Sequence, residues 1–115
     1  MNFRLNKYQL EKYSRQIILK DVGALGQKKI IKSKVLIVGM GGLGCPVAEY
    51  LTRAGIGNIG IVDFDKVDLS NIHRQSLFNL KDLKKSKVIV AKKKLNKINI
   101  QTKVECYNLK LNKKL

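Results

Sequence analysis

The sequence predicts an α/β fold: a Rossmann-like parallel sheet with N-terminal helices, truncated after about three strands. Three observations predict it. The apolar run Val35-Leu36-Ile37-Val38 leads directly into Gly39-Met40-Gly41-Gly42-Leu43-Gly44. A second apolar run, Ile59 to Val62, ends on an acid, Asp63, about 20 residues beyond the last glycine. Segments of helical period separate and follow these runs, as parallel strands with helical crossovers require.

In chain order, Tyr8 through Ile18 has helical spacing, with Tyr8, Leu10, Tyr13, Ile17 and Ile18 expected on the packed side. A shorter helix is expected over Gly26 to Ile31, and Ser33 and Lys34 lead into the first strand. The glycine turn opens a helix from about Leu43 to Ala54, with Val47, Ala48, Leu51 and Ala54 on its sheet side. Pro46 falls in the first turn, where a missing N–H does no harm, and Gly55 is placed to stop the helix. Ile59 to Val62 is the second strand, and Asp63-Phe64-Asp65 marks its carboxyl end. Asp68 to Arg74 is polar and suits a loop or a single helical turn. Ser86 to Lys97 forms the next helix, with Val88, Val90, Ala91, Leu95 and Ile98 among its apolar positions. Thr102 to Tyr107 alternates as a third strand. The expected organisation is an N-terminal helical segment, 1–33, and the first half of a nucleotide-binding domain, 34–115.

The chemistry starts at the glycines. A helix start presents unpaired N–H groups and the positive end of its dipole to an anion. A carboxylate at the end of the next strand, Asp63, accepts hydrogen bonds from ribose hydroxyls. A purely structural turn needs one or two glycines; Gly42 makes this loop richer and points to close approach of backbone and phosphate.

Composition narrows the partners. The formal charge is +16 over 115 residues, but lysine supplies nearly all of it, together with the Asn and Ile that an AT-rich genome favours. The lysines are scattered and no aromatic residues interleave with them as a stacking surface, so specific nucleic-acid binding is not expected. A basic surface does steer acidic proteins. No apolar stretch approaches the ~20 residues that span a bilayer, and the N-terminus shows neither the apolar core nor the cleavage site of a secretory signal. Cys45 and Cys106, with no Cys-x-x-Cys pair, suit a reducing compartment and provide no metal site.

Three features exceed an ordinary dinucleotide site. The stretch Asp63-Phe64-Asp65-Lys66-Val67-Asp68-Leu69-Ser70-Asn71-Ile72-His73-Arg74-Gln75 gathers acids and one arginine beyond a strand end. Lys87 opens the following helix at the same sheet edge, and Tyr13-Ser14-Arg15-Gln16 precedes the first strand. Where lysine is the default cation, Arg15 and Arg74 suggest a need for a planar, forked donor to phosphate.

With these residues in place, the chain resembles the MoeB and ThiF group of ubiquitin-activating-enzyme-like adenylyltransferases, closest to MoeB, over residues 13 to about 107. The matching segments are 13–19, 26–30, 34–45, 54–57, 63–75 and Ser86-Lys87. The resemblance implies ATP-dependent adenylation of the C-terminal carboxylate of a ubiquitin-like sulfur-carrier protein, with molybdenum-cofactor biosynthesis favoured. It implies that Gly41 and Gly42 back the nucleotide, that Asp63 takes the ribose, and that Ser70, Asn71, Ile72, His73 and Arg74 line the ATP site. Lys87 reaches the phosphates. Arg15, Arg74 and Lys87 form the catalytic set, Arg15 being the arginine that a second subunit inserts, which predicts a homodimer. Asp65 suits a site role and a loop role equally, while His73 suits a solvated loop more than catalysis. Cys45 suits a small buried hydrophobe rather than a thiolate, Cys106 suits the core, and Lys92-Lys93-Lys94 a solvated helix face.

The chain also departs from the family pattern. The magnesium-binding aspartate, the Cys-x-x-Cys pairs for structural zinc, the sulfur-handling cysteine and the remaining strands all lie beyond the third strand. Magnesium is therefore expected with ATP through a ligand outside this chain, zinc only in a full-length protein, and little activity from this portion alone. ThiF-type activation in thiamine biosynthesis, an inactive nucleotide-binding remnant and an NAD-dependent oxidoreductase remain alternative readings. The expected compartment is the cytoplasm, or the plastid stroma for an organelle-encoded chain.

Overall fold

A computed structural model describes residues 4–110. The elements in chain order are α1 (Lys7–Lys12), α2 (Ser14–Ile17), α3 (Gly23–Lys32), β1 (Lys34–Val38), α4 (Gly44–Ala54), β2 (Asn58–Val62), α5 (Lys87–Ile98) and β3 (Lys103–Tyr107). Two 3-10 turns, Leu69–Asn71 and Leu80–Asp82, occupy the long β2–α5 connection. The three strands form one parallel sheet in the order β1-β2-β3, so each crossover returns beside the strand it left. The register aligns Ile37 with Ile61 and Cys106, and Val38 with Val62 and Tyr107.

Strand alternation gives the two sheet faces different fates. One face carries Ile37, Ile59, Ile61 and Val104, all buried beneath α4 and α5 with Ala48, Val88, Ala91 and Leu95. The other carries Leu36, Val38 and Tyr107, which are 57%, 53% and 40% exposed. A hollow of about 370 Å³ lies over this bare face, lined by Leu36, Gly60, Glu105 and Tyr107 among others. Parallel sheets are ordinarily covered on both faces, so this hollow is an uncovered packing surface and not the ligand site.

The N-terminal helices differ from expectation in detail. The segment 8–18 is not one helix: it breaks at Tyr13, which caps α1 and precedes α2. Tyr8, Leu10 and Ile18 are exposed, and the buried residues are Gln9 and Tyr13. Gln9 is drawn in by a capping box, in which the Gln9 N–H donates to Asn6 Oδ1 at 2.8 Å and the Asn6 N–H donates to Gln9 Oε1 at 2.9 Å. Tyr13 is held by Asn99, whose Nδ2 donates both to its hydroxyl and to the Thr52 carbonyl, each at 3.0 Å. α3 starts earlier than expected, at Gly23.

On α4 Ala48 is buried and Leu51 packs against the core as expected, with Cys45 and Thr52 buried beside them, while Val47, expected on the same side, is 48% exposed. At the start of the helix a Cβ on Gly44 would lie 1.8 Å from the Gly39 carbonyl oxygen, so the turn requires glycine there. Gly55 ends α4 in the left-handed region at φ 100°. On α5, Lys92 and Lys93 are exposed as expected, but Lys94 is half-buried and pairs with Asp82 Oδ2 at 2.5 Å. No described helix is long and apolar enough to cross a membrane.

Candidate functional site

The glycine turn continues β1, with the Gly39 N–H donating to the Val62 carbonyl at 2.7 Å. Two of its glycines are required by the fold. Gly39 has φ +94°, and Gly44 abuts the Gly39 backbone. Gly41 and Gly42 are different. Neither has a positive φ, and a Cβ would meet nothing closer than Gln75 Nε2 at 3.8 Å and the Arg74 carbonyl at 3.9 Å, respectively. Among the described residues their N–H groups also have no hydrogen-bond partner. The loop thus offers two unpaired donors on a surface free of side chains, at the start of an 11-residue helix.

Neighbouring groups hold that surface still. The Met40 N–H donates to Asp63 Oδ2 at 2.7 Å, and the Asp65 N–H donates to Asp63 Oδ1 at 2.8 Å. Cys45 ties the other side of the same peptides: its Sγ donates to the Met40 carbonyl at 3.3 Å and its N–H to the Gly41 carbonyl at 3.0 Å. Burial, outweighing the effects of a Leu77 hydrogen bond and nearby Lys87, pushes the Cys45 thiol up to about 11. It is a buried protonated thiol and no nucleophile at neutral pH.

Lys87 is placed beside Asp65, beyond the end of β2, because residues 65–67 pair with the start of α5. The Val67 N–H donates to the Lys85 carbonyl at 2.8 Å, and the Lys87 N–H to the Asp65 carbonyl at 3.1 Å. Its side chain is only 6% exposed, and its ion-pair partner, Asp65 Oδ2, stands at 4.0 Å. A buried ammonium with so long a contact retains capacity for a closer anion. A cleft of about 310 Å³ opens at the carboxyl ends of β1 and β2, lined by Gly39, Asp63, Phe64, Asp65 and Lys110 among others, and Lys87 is not part of its lining.

The Ser70–Arg74 segment begins within the 3-10 turn Leu69–Asn71, which is capped by Asp68; its carboxylate accepts from the Ser70 N–H at 2.9 Å and the Ser70 hydroxyl at 3.1 Å. Those bonds, the backbone one first, hold the Asp68 carboxyl below its ordinary range. Asn71 is half-buried, and its carbonyl accepts from the N–H groups of Arg74 and Gln75. Ile72 packs against the core, while Ser70, His73 and Arg74 are exposed. The backbone of Arg74 therefore abuts Gly42 with its side chain open to solvent.

Arg15 is not brought to this site. Its neighbour Gln16 donates to the carbonyl of Ala54, the last residue of α4, whereas the glycine loop stands at the first. A helix of that length separates them by roughly 16 Å. Sequence reasoning left Gln75 without a role, although it is 2% exposed and lies against Gly41. Burial of a polar residue at the end of a polar loop has no signature in composition. Among the described residues, no three of His, Cys, Asp and Glu cluster as metal ligands.

Fold and loop together define the class: a chain of Rossmann-like parallel topology with a glycine-rich strand-to-helix turn. The chain belongs to the ThiF family, which it matches over residues 13–115. It is 44% identical over 108 residues to the sulfur carrier protein adenylyltransferase of Thermus thermophilus, covering 94% of this chain and 40% of that protein. It is 48% identical over 108 residues to the adenylyltransferase and sulfurtransferase MOCS3 of Drosophila virilis, covering 94% of this chain and 24% of that one. The chain therefore spans less than half the length of these relatives. Among solved structures, PaaA superposes with a TM-score of 0.88 at 35% identity, over 97% of this chain and 37% of its own. E. coli MccB with ATP gives 0.81 at 33%, over 95% and 34%.

Proposed function

We propose that this chain forms the ATP-binding part of an adenylyltransferase that activates the C-terminal carboxylate of a ubiquitin-like sulfur carrier protein. One observation carries the reading: Gly41 and Gly42 have neither a conformational nor a packing reason to be glycine, and their N–H groups are unpaired. A triphosphate lying on the loop explains both facts. The names of the Thermus and Drosophila relatives support the choice of carrier.

The residues fit ATP as substrate. Asp63 is buried beside the loop and presents a carboxylate to the ribose. Lys87 supplies a desolvated cation toward the phosphates, and Ser70, Asn71 and Arg74 border them from the 3-10 turn. In the reaction, a carboxylate oxygen of the carrier forms a bond to the α-phosphorus as the bond to the pyrophosphate oxygen breaks. The products are acyl-adenylate and pyrophosphate. The nucleophile is already an anion, so no general base is required; catalysis rests on alignment and on cations that offset charge at phosphorus. Within this function, molybdenum-cofactor biosynthesis is the favoured pathway. Arg15, too far from its own loop, serves the site of a partner copy in a homodimer.

The test is carrier-dependent exchange of pyrophosphate into ATP. It uses a chimera in which this chain replaces the matched segment of the Thermus thermophilus relative. Exchange that needs both ATP and the carrier, and that falls at least tenfold in Lys87→Met, is expected. Absence of exchange together with tight NADH binding would overturn the reading.

A further inference from the structure

We infer that Gln75 is a positioning residue for the glycine loop, setting the seat of Gly41 and, through its peptide, of Arg74; the functional part of this inference rests on the ATP-binding reading above. Three observations converge on it. The side chain is 2% exposed. Its Nε2 is the nearest atom to the missing Cβ of Gly41, at 3.8 Å, and the Arg74 carbonyl occupies the equivalent place at Gly42. Consecutive residues thus floor consecutive glycines. Finally, Oε1 of Gln75 is buried with no hydrogen-bond partner among the described residues.

A buried orphan acceptor weakens a fold, and its retention calls for a reason beyond packing. The backbone of Gln75 is already engaged: its N–H donates to the Asn71 carbonyl and its carbonyl accepts from Phe78, each at 3.0 Å. The local turn would therefore close with an apolar side chain. What an apolar side chain would remove is the polar group beside Gly41, at the loop that presents the unpaired donors. A carboxamide dipole there fixes the peptide orientation of Gly41-Gly42 before an anion arrives, which is where preorganised sites gain their advantage.

The variant Gln75→Met keeps the side chain's length and removes its polar head. Its melting temperature, residue-resolved amide exchange and Mg-ATP affinity are compared with wild type. The expected result is an unchanged or raised melting temperature, exchange at least fivefold faster at the hydrogen-bonded amides of Met40 and Cys45, which flank the two glycines, with Leu95 unaltered, and ATP binding about tenfold weaker. Unchanged exchange at Met40 and Cys45 overturns the inference. So does a fall in melting temperature with faster exchange throughout α5, because Gln75 would then be an ordinary packing residue. If wild type itself binds no Mg-ATP, the ATP reading fails, and exchange at Met40 and Cys45 still decides whether Gln75 positions the loop.

Discussion

The Met40 N–H and the Asp63 carboxylate meet at 2.7 Å inside the protein, joining the glycine turn after β1 to the end of β2. The residue expected to hold ribose is thus also the brace of the phosphate loop. Replacing Asp63 with Ala strands the buried Met40 N–H and frees the Asp65 turn. A loss of about 2 to 3 kcal/mol in urea-unfolding free energy is expected, together with weaker Mg-ATP binding. Full retention of stability would show that the brace is not structural.

Gly55 makes a sharper demand on the fold. A Cβ there would lie 2.7 Å from Tyr13 Cζ and 2.8 Å from Gln27 Nε2, at φ +100°. Gln16 and Gln27 both donate to the adjoining Ala54 carbonyl, so the whole N-terminal arm is pinned at this point. Gly55→Ala should cost about 3 kcal/mol by strain and overpacking. Limited proteolysis should then cut first near α1 and α2.

Cys45 gives a pH signature. Its folded pKa of about 11 lies above the ordinary 9.0, so the folded state retains the proton while the unfolded state loses it. The resulting stability is complete below about pH 9 and is lost as pH rises toward 11. Wild type should lose about 2 kcal/mol more than Cys45→Ala between pH 8 and 11, measured by urea unfolding. At pH 8, iodoacetamide should label the half-buried Cys106 well before Cys45.

The bare sheet face predicts association. Leu36 and Val38 are more than half exposed on a parallel sheet, a surface that is ordinarily covered. Leu36→Lys should reduce self-association of the 115-residue chain in sedimentation velocity. It should change unfolding free energy by no more than about 0.5 kcal/mol.

The strands, the glycine turn and the helix start were legible because each is encoded locally. Val35 to Val38 is an uninterrupted apolar run, Gly39 to Gly44 is a dense glycine cluster, and Asp63 directly follows an apolar run. The N-terminal arm was not, because its break at Tyr13 is imposed by Asn99, 86 residues away in sequence. Periodicity placed Tyr8, Leu10 and Ile18 inward, whereas Tyr13 alone among the five finds a buried pocket. The Asn6–Gln9 capping box, which the reading by periodicity passed over, sets the helix start at Lys7. The position of Lys87 at the start of a helix after the acidic loop was legible in the sequence, and its pairing with Asp65 comes from the fold. Gln75 was not, since only the fold reveals that it faces Gly41.

In the proposed function a phosphate chain lies between the Gly41-Gly42 amides and Lys87. This placement is tested most directly by calorimetric titration of Mg-ATP into wild type and Lys87→Met at the same ionic strength. Methionine preserves the buried stem and removes only the charge, so the fold should persist. Measurable binding to wild type and at least a tenfold loss in Lys87→Met, with an unchanged melting temperature, are expected. Equal affinity in the two proteins would contradict it.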